Sequence, residues 1–126
     1  MFMTMFINAV TQYVADQDRA IAFWIDVMGF ELRRDAEMWP GSRWVKIAPP
    51  GGQTTLALLQ ADDFPGAPGS GPAPFTIAVD DIVDCHARLV AAGAAVTAPL
   101  EEGYGTFIQV TTPDGWEHVI SQLAPG

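Results

Sequence analysis

The chain has 126 residues, 49% of them hydrophobic and 17% charged, with a formal net charge of −9, which describes one folded domain with a real core and excludes a disordered polypeptide. The acidity opposes binding to nucleic acid or to anionic membranes, and no apolar run reaches the roughly 20 residues of a membrane span. The single cysteine, Cys85, excludes an intrachain disulfide and suits a cytoplasmic protein.

The apolar start, Met1 to Phe6, has no basic flank and no cleavage-like site, and reads as the lead into a first strand rather than a signal peptide. Phe6 to Val14 alternates as a strand, with Ile7, Ala9, Thr11 and Tyr13 on one face. Asp16-Gln17-Asp18 offers N-caps to a helix over about 18–28, in which Ile21, Trp24, Ile25 and Met28 recur at helical spacing and Gly29 supplies the stop. Phe30 to Arg34 reads as a strand and Glu37 to Ser42, with Trp39-Pro40-Gly41, as a loop. Arg43 to Ala48 and Thr54 to Gln60 read as strands around the Pro49-Pro50-Gly51-Gly52 turn. Residues 64–74, rich in proline and glycine, read as a linker. Then follow a strand over Phe75 to Val79 and a helix over about 81–92 capped by Asp80 or Asp81. Strands at Ala95 to Ala98, Thr106 to Thr111 and Trp116 to Gln122 complete the chain, the last after a Thr112-Pro113-Asp114-Gly115 turn.

The two halves repeat one another. Val14-Ala15-Asp16 with Gly29-Phe30-Glu31-Leu32 corresponds to Val79-Asp80-Asp81 with Gly93-Ala94-Ala95-Val96, at an offset of about 64 residues. Module 1 covers about 1–63 and module 2 about 75–126, each ordered βαβββ, which makes an α+β domain.

On these residues the chain resembles the vicinal oxygen chelate superfamily of glyoxalase I, extradiol dioxygenases and bleomycin-resistance proteins. The carriers are Tyr13-Val14-Ala15-Asp16, Ala22-Phe23-Trp24, Met28-Gly29-Phe30, Ile77-Ala78-Val79-Asp80-Asp81 and Thr112-Pro113-Asp114-Gly115. The resemblance implies two βαβββ modules forming a cup-shaped curled sheet with helices outside, and a homodimer. In the family's metalloenzymes four cup-lining positions hold His or Glu. Here those positions fall on Ala9, near Ala57, on Pro74 and on Val119, none of which ligates a metal through its side chain. A slip of one residue would offer only Asn8 and His118. The expectation is therefore a cup without metal or other cofactor.

Glu117, Val119 and Ser121 are expected on the cup wall, with Trp116, His118 and Ile120 toward the helices. Glu117 reads either as a cation-orienting or basic carboxylate, satisfied by ligand, Arg43, Lys46 or water, or as an exposed rim residue. His118 reads as structural rather than catalytic, His86 as solvated, and Cys85 as facing the core with Ile82 and Leu89. Trp24 and Trp116 read as core. Tyr13, Trp39, Trp44, Tyr104 and Phe107 read as walls of a small-molecule pocket or as dimer interface. The functional expectation is metal-independent binding of a hydrophobic or aromatic, even cationic, small molecule, as in drug-sequestering antibiotic-resistance proteins. The alternatives are a lyase, isomerase or oxygenase with displaced metal ligands or with Glu117 as base, and a collapsed cup whose dimer surface is the functional part.

Overall fold

The computed structural model describes residues 3–124, so the reading of the N-terminal lead-in falls partly, at Met1 and Phe2, outside the described residues. Met3 to Asn8 carry no regular structure. The chain has an α+β fold, and it divides into two compact units between Gly69 and Ser70. The division lies inside the proline- and glycine-rich stretch.

The first unit is one helix on one sheet. Strand β1 (Ala9–Val14) leads to α1 (Gln17–Ala22), whose N-cap is Asp16: its carboxylate accepts from the Arg19 amide at 3.1 Å. The helix widens into a π-helical turn over Phe23–Val27, where the Met28 amide reaches back to the Phe23 carbonyl at 3.1 Å. Phe23 and Trp24 are both buried there, and the Trp24 ring lies 5.7 Å from Phe23 and 4.8 Å from Phe30. Strands β2 (Glu31–Trp39), β3 (Ser42–Ala48) and β4 (Thr55–Gln60) complete an open sheet in the order β1-β4-β3-β2. β2 therefore runs five residues past the expected Arg34 and takes in Trp39, which had read as loop. The turn is only Pro40-Gly41, with Gly41 at φ +85°, a conformation that only glycine adopts without strain.

Alternation decides the two faces of this sheet. Val45 pairs with Leu58 and Ile47 with Leu56, and all four are buried on the helix side. Gln17, itself buried, ties α1 to that side by donating from Nε2 to the carbonyl oxygens of Arg43 at 2.8 Å and Leu58 at 2.9 Å. Arg43 bridges Asp18 of the helix and Asp35 of β2, which keeps the Asp35 carboxyl below its ordinary range through the hydrogen bond.

The second unit repeats the plan. Its helix α2 (Ile82–Ala91) is capped by Asp81, whose carboxylate accepts from the Asp84 amide at 3.0 Å. The sheet is built on β9 (Gly105–Thr111) and β10 (Trp116–Leu123), paired antiparallel. Short strands complete it: β5 (Gly71–Pro72) and β6 (Ile77–Ala78) along β10, β7 (Ala95–Val96) and β8 (Leu100–Glu102) along β9. Part of the expected linker is thus a strand. Ile82, Leu89, Ile108, Val110, Trp116, His118 and Ile120 are buried on the helix side. Gly105 is required by packing: a Cβ there would meet the Gln122 carbonyl oxygen at 2.8 Å.

Candidate functional site

Each sheet buries one face under its helix and turns the other away. The six sequence-derived candidates all lie on, or at the edge of, those other faces, three in each unit.

In the first unit the register sets the layout. Thr11 pairs with Ala57, Ala57 with Lys46 and Lys46 with Arg34, so one row crosses all four strands on the open face. Tyr13 and Trp44 stand two residues along from Thr11 and Lys46, on the same face. Trp44 is 37% exposed and Trp39, at the end of β2, 47%. The Tyr13 ring lies 5.3 Å from Phe64 and the Trp39 ring 6.5 Å from the same Phe64, so Phe64 joins the two. Phe64 was not singled out from the sequence because it opens the stretch that read as linker. The Arg34 guanidinium and the Lys46 ammonium lie 5.1 and 4.9 Å from the Trp44 ring centroid. The sequence did not single out Arg34 and offered Lys46 only as a partner for Glu117, although Trp44-x-Lys46 is a same-face spacing.

The second unit holds Tyr104, Phe107 and Glu117. Glu117 is exposed on β10 opposite Thr111, and Val119 pairs with Gln109 on the same side. Phe107 lies on that face opposite Ser121, with the exposed Tyr104 ring 5.3 Å away. A depression of about 220 Å³ lies between Thr97, Ala98, Leu100, Phe107, Gln109 and Val119. Arg43, considered above as a partner for Glu117, is already engaged by Asp18 and Asp35.

The remaining titratable candidates sit elsewhere. His118 is fully buried against Phe75, ring to ring at 5.1 Å, and burial pushes its pKa down to about 4, so it is a neutral core residue. Cys85 is half-buried and its thiol is pushed up by burial, away from thiolate reactivity. His86 is half-buried on α2 rather than fully solvated.

A matching family model decides the classification: that of the glyoxalase/bleomycin resistance protein/dioxygenase superfamily fits residues 6–120. The chain belongs to this superfamily. Among its relatives is the uncharacterized protein YetH of Bacillus subtilis (strain 168), 30% identical over 110 residues, covering 86% of this chain and 91% of YetH. The structure is similar to that of TnmS3, an antibiotic binding protein from Streptomyces sp. CB03234, with a TM-score of 0.87 and 27% identity over 98% of this chain and 100% of that one. It is similar also to a superfamily member from Sphaerobacter thermophilus DSM 20745, with a TM-score of 0.89 and 26% identity over 96% and 99% of the two chains.

The superfamily's metalloenzymes imply a divalent ion, and the residues here do not fit one. Ala9 and Ala57 lie on the open face of the first sheet and Val119 on that of the second, while Pro74 is exposed; none carries a donor side chain. Among the described residues no three of His, Cys, Asp and Glu come together as a metal-holding group. No helix among the described residues is long and apolar enough to cross a membrane.

Proposed function

We propose that this protein is a cytoplasmic, homodimeric binding protein that sequesters a planar hydrophobic or aromatic small molecule, in the manner of antibiotic-binding members of the superfamily. The observation that carries this reading is the ring assembly on the open face of the first sheet: the Phe64 ring lies between those of Tyr13, at 5.3 Å, and Trp39, at 6.5 Å, with Trp44 on the same face as Tyr13. Rings held half-exposed on a rigid sheet offer large contact area at little entropic cost, the usual make-up of a small-molecule site. The depression beside Phe107 offers a second apolar surface, with Gln109 as its amide. TnmS3, the antibiotic binding protein, is similar to this chain in fold and 27% identical in sequence, which supports the same reading.

The test is titration of the purified protein with a panel of polycyclic aromatic natural products. A ligand of this kind is expected to quench tryptophan emission and to raise the melting temperature with the logarithm of its concentration over Kd once that ratio exceeds one. Phe64→Ala should weaken binding about five- to tenfold by removing the ring that joins Tyr13 to Trp39. A panel that leaves both emission and melting temperature unmoved would sink the proposal.

A further inference from the structure

The open face of the first sheet carries charge as well as rings. Four of the six basic residues fall between positions 33 and 46, and they divide sharply by use. Arg33 donates to Glu31, to the Pro49 carbonyl and to the Gly52 carbonyl, which pins the β3–β4 turn. Arg43 is held between Asp18 and Asp35. Arg34 and Lys46 are different. They are direct cross-strand partners, they face the same side, and both cations sit about equally close to one indole ring. Among the described residues neither forms an ion pair with a carboxylate, in a chain where 15 acidic residues stand against 6 basic ones.

The physics of that arrangement is one-sided. The ring quadrupole attracts each cation, while the two cations repel one another across the ladder. A pair of like charges directly opposite on adjacent strands is destabilising unless an anion lies between or beside them. A carboxylate or phenolate placed against Trp44 relieves the repulsion and gains two charge-assisted hydrogen bonds, one of them from a guanidinium suited to planar acids.

We infer that Trp44, Arg34 and Lys46 form an anion-recognition point: a planar aromatic ligand lies against the indole and its carboxylate or phenolate pairs with both cations. This rests on the aromatic-ligand reading above and adds the sign of the ligand's charge, which is negative and not the positive one that the protein's overall acidity suggests.

Two anthraquinones that share a ring system and differ in charge test it: anthraquinone-2-carboxylate and neutral 2-(hydroxymethyl)anthraquinone. The full chain is titrated with each near neutral pH at low ionic strength, following tryptophan emission and calorimetric heat. The carboxylate is expected to bind about tenfold more tightly or better, and the preference should shrink in about 0.5 M NaCl. An Arg34→Gln, Lys46→Gln double variant should bind the neutral probe as the parent does and lose the preference; Arg34→Lys should retain part of it. Arg34 is exposed and Lys46 half-buried, and an unchanged melting temperature confirms that the variants are folded. Equal binding of the two probes, tighter binding of the neutral one, or a preference that survives in the double variant overturns the inference while leaving the aromatic-ligand reading intact. Failure of both probes to bind removes both.

Discussion

A histidine with no access to water must choose its protonation state by its surroundings, and His118 is fully buried on the helix side of β10 with the Phe75 ring against it. Burial lowers its pKa from 6.5 to about 4. The folded value lies below the unfolded one, so the unfolded chain takes up a proton over a range where the folded chain does not. The contribution to stability is therefore complete above about pH 6.5, is lost as pH falls, and levels off below about pH 4, at a total of about 3 kcal/mol. Urea midpoints measured between these limits should show that slope, and His118→Gln should flatten it. If the variant's profile runs parallel to the parent's, the acid sensitivity arises elsewhere. Asp35 is separable, because its carboxyl, held down by Arg43, acts only below its ordinary value of 3.8. At this scale the sequence was informative wherever a turn anchored the strand parity. The Pro113-Asp114-Gly115 turn placed Glu117 and Val119 on one face and His118 on the other, as found. It was silent on Arg34 because a register shift between Leu32 and Arg34 breaks simple alternation in β2, so the meeting of Arg34, Lys46 and Trp44 depends on a bulge that no local pattern encodes.

Elements were legible in proportion to how local their causes are. Both helices begin at an Asp whose side chain closes on an amide three residues on, a short-range device readable from spacing. The second helix offered two candidates, and the structure selects Asp81. Asp81→Ala is expected to cost about 1 kcal/mol in denaturant unfolding, while Asp80→Ala should cost close to nothing; equal effects would show that the cap hydrogen bond is not what matters. The π-helical turn had no such signal, since its hydrogen bond from Met28 to Phe23 serves the joint burial of Phe23 and Trp24 against the sheet, which is a tertiary demand. The short strands β5 to β8 were blurred or missed for a related reason. They exist because β9 and β10 offer edges to pair with, and Gly71-Pro72 carries no strand propensity of its own. β2 outran its expected end because pairing to β3 continues through Ala36, Glu37 and Trp39 until the two-residue turn closes it.

On the scale of the whole molecule the governing quantity is a net charge of −9 with a sequence pI near 4.3. Self-repulsion of that size opposes the compact state, and salt screens it over a Debye length of about 10 Å at 0.1 M. Salt also weakens the ion pairs the fold does make. Those seen among the described residues are mostly exposed: Arg33 with Glu31, Arg43 with Asp18 and Asp35, and Arg88 with Asp84. Exposed pairs contribute at most about 1 kcal/mol each, and often nothing measurable. Repulsion among the surplus acids should therefore outweigh them near neutral pH, and relief should extend to Arg34 and Lys46, whose mutual repulsion salt also screens. Raising NaCl from about 0.05 to about 0.5 M near pH 7 is expected to raise the melting temperature by a few degrees. Chloride, rather than sulfate, keeps surface-exclusion effects small. The same series near the pI supplies the control, because the net repulsion has vanished there and only the attractive pairs remain to be screened. A melting temperature that falls with salt at pH 7 as it does near the pI would mean that the Arg43 network, rather than the net charge, sets the electrostatic contribution to stability.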